Sequence, residues 1–199
     1  MRTLLVTLTV CLCTLPANAK YSGGTGEPDD PYQIATAADL IALGETPEDY
    51  DKHFILTADI DLAGAVFERA VIAPDINDVE DGFQGTSFGG VFDGNGHTIS
   101  HLTIKGTEYL GLFGQLDAGA QVRGLGVVDV NIVGSDGSEV GGLAGVSNGR
   151  VANCHSTGSV IHIGFLSTIK ILSPDRNIRA SQNPAAFRFS SAAAVCFAA

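Results

Sequence analysis

The stretch Gly111-Leu112-Phe113-Gly114-Gln115-Leu116-Asp117-Ala118-Gly119-Ala120-Gln121-Val122-Arg123-Gly124-Leu125-Gly126-Val127-Val128-Asp129-Val130-Asn131-Ile132-Val133 decides the reading of the fold. It opens on a glycine-apolar-apolar-glycine tetrad and runs into a long apolar segment. Within that segment Leu125 and Val127 share one parity, whereas Val128, Val130 and Ile132 share the other. Successive side chains of a strand leave opposite faces. A parity switch inside one apolar run therefore predicts a corner, where a bulge or bend turns both halves toward the same core.

Working outward, the chain aligns with itself as three related units. Gly90-Val91-Phe92-Asp93-Gly94 leads to Ile99–Ile104, Gly111–Gly114 leads to Val122–Val133, and Gly142-Leu143-Ala144-Gly145 leads to Val151–Val160. Their starting glycines lie 21 and 31 residues apart. A fixed short core with variable spacing predicts coils of similar cross-section joined by variable loops. The composition agrees: 25 glycines, no Trp and 17% charged residues suit short strands joined by tight turns. The expected fold is all-β, a right-handed parallel β-helix (β-solenoid) in which each coil stacks on the last. A β-sandwich is the runner-up, since it too is built of short strands and Gly-rich turns.

Upstream, Phe54, Leu56, Ala58, Ile60 and Leu62 alternate with His53, Ile55, Thr57, Asp59 and Asp61, which predicts one strand with one buried face. Residues 21–31 are too rich in Gly, Pro and Asp for regular structure. Thr36 is a good N-cap with Asp39 three residues on, and Leu40, Ile41 and Leu43 form an apolar stripe before Gly44 and Pro47. A short N-terminal capping helix follows from that pattern. Residues 68–88 carry acidic residues and Pro74 and are expected to bulge out as a long loop.

The ends differ from this body. Arg2, an apolar run Leu4–Leu15 and Ala17-Asn18-Ala19 read as a secretory signal peptide over residues 1–19, with maturation at Lys20. The run is about a dozen residues, short of the ~20 a spanning helix needs. Cys11 does not make a lipid-attachment site, because Val10 stands where a small residue is needed. After cleavage only Cys154 and Cys196 remain, so disulfides are not the basis of the fold. From Lys20 to Val160 there are 21 acidic against 6 basic residues; from Ile161 to Ala199 there are 1 against 4. The glycine tetrads also stop at Ile161. Residues 20–160 are thus read as one repeat domain and residues 161–199 as an atypical, disordered or frameshifted tail. Ile161–Leu172 is the part apolar enough to form a strand or helix over the last coil.

The tetrads Gly111–Gly114 and Gly142–Gly145, the second followed by Asn148-Gly149-Arg150-Val151-Ala152-Asn153-Cys154-His155-Ser156-Thr157-Gly158, resemble the GLUG repeat of large bacterial surface and secreted proteins. Asp30-Pro31-Tyr32-Gln33-Ile34 and Phe92-Asp93-Gly94-Asn95-Gly96-His97-Thr98-Ile99 resemble the cap and first coils that precede such repeats. The resemblance spans roughly residues 21–160. It implies extracellular attachment or scaffolding in an adhesin-like setting, secreted or at the cell surface, and specifies no reaction.

Several constellations could carry chemistry. Asp59 and Asp61, two apart on a strand, should point to the same side about 7 Å apart, a separation compatible with paired carboxylates in glycoside hydrolysis. A carbohydrate-active β-helix enzyme, glycoside hydrolase or polysaccharide lyase, is therefore the alternative function. Their outward parity makes solvated aspartates the plainer reading. His97 and His101 have helical zinc spacing, but four strand residues would part them by about 13 Å, too far to share one metal. Asp75, Asp78, Glu80 and Asp81 are the calcium candidates, since a loop can fold oxygens round a hard cation; a solvated acidic loop is the competing reading. Asp93-Gly94, Asn95-Gly96 and Asp136-Gly137 are turn signals. No nucleophile elbow, phosphate loop or HExxH occurs. No catalytic, cofactor-binding or metal residue is assigned. The acidic body argues against nucleic acid as a partner, and no integral membrane segment is expected in the mature chain. The expected partner is an extracellular surface, matrix or glycan ligand.

Overall fold

The computed structural model describes residues 20–77, 80, 82–135, 139–162 and, for the backbone only, 189–195. The signal-peptide segment 1–19 and most of Ile161–Leu172 lie outside the described residues.

The N-terminal helix forms as its sequence dictates. Helix α1 (Ala37–Gly44) is capped by Thr36, whose side chain accepts from the Asp39 N–H while the Asp39 carboxylate accepts from the Thr36 N–H. Each donor would otherwise be unsatisfied at a helix start. Leu40 and Leu43 are fully buried and fix this helix on the core. Tyr50 ties its end to the body, donating to the Gly44 carbonyl and accepting from the Ala73 N–H.

The rest of the described chain is predominantly β. In chain order the strands are β1 (Tyr32–Ile34), β2 (His53–Leu56), β3 (Ile60–Asp61), β4 (Val91–Asp93), β5 (Thr98–Ser100) and β6 (Thr103–Gly106). There follow β7 (Phe113–Leu116), β8 (Gln121–Arg123), β9 (Gly126–Gly134), β10 (Ala144–Ser147), β11 (Arg150–Ala152), β12 (His155–His162) and β13 (Phe189–Val195). The first sheet runs β1-β2-β4-β8-β11, all parallel. The second places β3, β5, β9 and β12 in parallel, with β6 beside the second half of β9. A third is the parallel pair β7 and β10. The chain visits these sheets in turn and comes back to each: Val91 pairs with Gln121, Gln121 with Arg150 and Phe113 with Ala144, 29 to 31 residues apart.

Register puts like residues in rows. Tyr32, Phe54, Phe92, Val122 and Val151 form one row of the first sheet. The rings of Tyr32 and Phe54 lie 5.5 Å apart and those of Phe54 and Phe92 6.4 Å, and Phe113 meets Phe92 edge-on at 5.5 Å. Burying a Phe of this kind contributes about 1.5–3 kcal/mol, and an aromatic pair roughly 0.5–1.5 kcal/mol more. Ile60, Ile99 and Val127 form a second row, and Ile104, Ile132 and Val160 a third. Leu112 and Phe113 are fully buried as their tetrad predicts, whereas Leu143, Val151 and Val160 are only half-buried against the core. They belong to the last set of strands, which has neighbours on one side only among parallel partners.

The parity switch in β9 is a bulge. Val127 pairs with Ser156 and Val130 with Gly158, so Val128 and Asp129 together oppose one residue of β12. Asp129 takes a left-handed φ of 54° there, and Leu125, Val127, Val130 and Ile132 all end up buried.

Three expectations need correction. The alternation from Phe54 to Leu62 is two strands, not one: β2 joins the first sheet and β3 the second, with a corner at Thr57–Asp59. Parity survives because an odd number of residues bridges the corner, which hides the break from a period-two reading. The glycine unit at Gly90 is not equivalent to those at Gly111 and Gly142. Val91 stacks with Gln121 in the first sheet, while Phe113 stacks with Ala144 in the third. Finally, residues 68–88 are not wholly a bulging loop. Ile72 bridges Phe113 and Phe88 bridges Leu116, both parallel, so the chain is pinned at both ends and only 73–87 makes an excursion. Ile72, Ala73 and Phe88 are fully buried.

One stretch of the tail lies against the body. Strand β13 runs antiparallel along β12, from His155 opposite Val195 to Val160 opposite Phe189.

Candidate binding face

Outward residues of the first two sheets are joined from one circuit of the chain to the next. Asp59, in the corner before β3, accepts from the Thr98 N–H at 2.8 Å and is hydrogen-bonded to His97 Nδ1 at 3.1 Å. Asp61, in β3, is bonded to His101 Nδ1 at 2.7 Å and accepts from the Ala63 N–H at 2.9 Å. These hydrogen bonds favour the ionised form of both carboxyls. The Thr98 N–H, then His97, holds Asp59 below its ordinary value; His101, then the Ala63 N–H, does the same for Asp61.

The two aspartates are thus brought to separate histidines rather than set against each other as a pair. The two histidines are likewise split between two carboxylates. A glycosidase pair needs one carboxyl whose pKa is raised so that it can donate a proton; both of these are shifted the other way. The sequence reading found all four residues but missed their pairing, because the partners are 38 and 40 residues apart. The signal that could have found it is register: Ile60 stacks on Ile99, which sets Asp59 and Asp61 beside the strand flanked by His97 and His101.

The first sheet carries an equivalent link. Arg123 donates to Asp93 Oδ2 from Nε at 2.9 Å and from Nη2 at 2.7 Å. Its neighbours Gln121, Val122, Arg150, Ala152 and Asn153 join it in lining a shallow cavity of 230 Å³ on β8 and β11. Gln121 and Arg150 are in register, as are Arg123 and Ala152. Arg150 is exposed. A second cavity, of 240 Å³, is lined in part by Glu48, Asp51 and Asp117 and has the opposite character.

Of the calcium candidates, Asp75 and Glu80 are among the described residues. Asp75 is buried, with Oδ1 accepting from the N–H groups of Gln84 at 2.9 Å and Asn77 at 3.3 Å, while Oδ2 is buried with no hydrogen-bond partner. Glu80 is exposed, and Asp78 and Asp81 lie outside the described residues. Among the described residues no three His, Cys, Asp or Glu side chains are placed to hold a metal ion. Asp75 is instead an internal tie of the 73–87 excursion. Cys154 is buried behind β11, its thiol near the Ala152 carbonyl at 3.3 Å; Cys196 lies outside the described residues.

No helix of the described residues is long and apolar enough to cross a membrane. Residues 136–161 match the family model of the GLUG motif, so the second tetrad and the strands after it carry that motif. Halomucin from Haloquadratum walsbyi is 35% identical over 148 residues, which are 69% of this chain and 2% of that protein. A protein named as Gly-rich and membrane-associated, from Evansella cellulosilytica, is 33% identical over 140 residues, 67% of this chain and 15% of its own. The chain therefore spans only a small fraction of either relative's length. Among solved structures, an immunoglobulin A1 protease-like protein from Bacteroides ovatus superposes with a TM-score of 0.51 at 23% identity, over 70% of this chain and 41% of that one. At that identity the likeness speaks for the fold alone.

Proposed function

We propose that this GLUG-motif chain is an exported surface module that binds or spaces rather than catalyses. On this reading residues 1–19 are a signal peptide, residues 20–160 a β-solenoid domain, and residues 161–199 an appended, atypical tail. The three parallel sheets are the walls of one β-helix, wound right-handed as parallel crossovers almost always are. The adhesin-like role, with an extracellular surface, matrix or glycan as partner, is supported by the motif, by a relative named for a membrane and by the length of both relatives.

The observation that carries the reading is how the outward polar residues are used. Asp59, Asp61 and Asp93 are each engaged by a residue of the next circuit, and the first two are held in the ionised form. Such residues staple neighbouring circuits, and Asp59 and Asp61 are shifted away from the raised pKa that a proton donor needs. The test is to incubate residues 20–199 with immobilised polysaccharides and cell-envelope preparations, measuring both retention and released sugar. Retention without release supports the module. Sugar release that vanishes in Asp59→Asn or Asp61→Asn would overturn it in favour of a carbohydrate-active enzyme, and failure to be retained anywhere would count against surface binding.

A further inference from the structure

We infer that the groove between β8 and β11 is a binding site for an acidic, uronate-bearing polysaccharide, with Arg150 as its principal anion contact. The inference rests on the surface-module reading and names the ligand class. Between Lys20 and Val160 acidic residues outnumber basic ones by 21 to 6, so a cavity chosen at random on this body should be lined by carboxylates. The cavity beside Glu48, Asp51 and Asp117 is of that kind. The β8–β11 groove is not. Its polar lining is Gln121, Arg123, Arg150 and Asn153, and no carboxylate is among the lining residues.

The arginines in it differ in employment. Arg123 is held by Asp93, which neutralises the nearest acid and fixes the guanidinium at the groove's edge. Arg150 sits one strand further on, in register with Gln121. Lys20, Lys52 and Arg123 are each in an ion pair; Arg150 makes none with the described residues. A planar guanidinium with its fork open matches a carboxylate with two parallel hydrogen bonds. The amides of Gln121 and Asn153 add donors and acceptors that suit sugar hydroxyls.

Shape favours a polymer of sugars. The groove is shallow and holds 230 Å³, below the several hundred Å³ usual for enclosed drug-sized ligands. It is lined by the exposed Gln121, Arg123, Arg150 and Asn153, so one uronate residue of a longer chain can rest in it. The acidic remainder of the surface is screened beyond about 8 Å at physiological ionic strength, so attraction is confined to the uronate that meets Arg150 and binding should weaken as ionic strength falls.

The test compares retention and affinity of residues 20–199 on alginate, a uronate polymer, on neutral dextran, and on polyglutamate, before and after Arg150→Gln. Alginate should bind, dextran should not, and Arg150→Gln should weaken alginate binding at least tenfold; Arg150→Lys should restore only part of it. The melting temperature of Arg150→Gln should match the parent, because the side chain is exposed. Binding to alginate that is indifferent to Arg150→Gln would overturn the site, and equal binding to polyglutamate would overturn the choice of a sugar ligand. Retention on dextran alone would overturn the acidic ligand while leaving the surface module standing. Loss of every interaction, envelope preparations included, would sink both.

Discussion

Gly114 is the position where the reason for the glycine tetrads can be measured. Its backbone φ is ordinary, so conformational freedom is not what requires a glycine. The requirement is close approach. A Cβ on residue 114 would fall within the van der Waals envelope of the Ala73 carbonyl oxygen, and 3.2 Å from the Tyr109 carbonyl oxygen. Both obstacles are backbone, which cannot swing aside as a flexible side chain can. Ala73 is pinned further because its N–H donates to the buried Tyr50 hydroxyl and Gly114 donates to the Ile72 carbonyl at 2.9 Å. Overpacking in a well-filled interior costs typically about 1–3 kcal/mol, and rigid obstacles on two sides place Gly114→Ala near the upper end, about 3 kcal/mol. For a domain of this size each kcal/mol moves the midpoint by roughly 2–4 °C. Thermal unfolding of Gly114→Ala should therefore show a melting temperature lowered by about 6–12 °C. Gly89→Ala is the control: nothing lies within 4 Å of its added Cβ, and a Gly→Ala change at a compatible site stabilises by about 0.4–1 kcal/mol. A Gly114→Ala protein that melts with or above the parent would refute the close-approach account.

Other consequences can be checked together. Phe92→Ala empties the centre of the aromatic row and should cost about 3–5 kcal/mol, whereas Leu143→Ala, half-buried at the end of the stack, should cost clearly less; equal losses in urea unfolding would contradict the assignment of rows. Asp59 and Asp61 have folded pKa values below their unfolded value of about 3.9, so their contribution is present above that pH and is lost as pH falls toward the folded value. The Asp59→Asn, Asp61→Asn double variant should consequently lose less stability than the parent between pH 5 and pH 3, as read by melting temperature. Asp75→Ala should release the 73–87 excursion to protease and cost about 1–3 kcal/mol, since two backbone N–H groups lose their acceptor. Millimolar calcium should leave the melting temperature unchanged, because Asp75 already spends Oδ1 on those groups; a rise would show a bound ion by mass action.

What the sequence disclosed about the fold was whatever depends on neighbours along the chain. Thr36 and Asp39 announce the helix because both ends of the capping box lie within four residues. Phe54 and Leu56 announce a buried face because strand alternation has a period of two. The β9 bulge was legible for the same reason, as Leu125, Val127, Val130 and Ile132 cannot all face inward without an extra residue. Gly90 was misplaced because a tetrad's glycines answer to backbone from another circuit. Gly90 approaches the Lys52 carbonyl and Gly114 that of Ala73. The ends of the 68–88 segment were misread because Ile72 and Phe88 stack on Phe113 and Leu116, some 41 and 28 residues away. Single-chain periodicity carries no trace of such distances.

The candidate face was hidden by the same distances. Asp59 and Asp61 look solvated and Asp93 looks like part of a turn when read locally, and each takes a partner 30 to 40 residues on. Where strands pair with partners 22 to 39 residues away, the inward rows fix register, and register in turn decides which outward residues meet. The outward residues are then free to vary without disturbing the core, since each points away from Phe54, Phe92 or Ile99. Those engaged as cross-circuit pairs reinforce the stack through Oδ1 of Asp59 and Asp61 and Oδ2 of Asp93, and as carboxylates they repel an anion. An anionic ligand needs donors, and these lie where the outward row offers N–H groups that no neighbouring circuit answers. On the first sheet that condition is met past Arg123, at Gln121 and Arg150, and this is why the groove there, rather than the aspartates that first attract a chemical reading, is the place to look for a ligand.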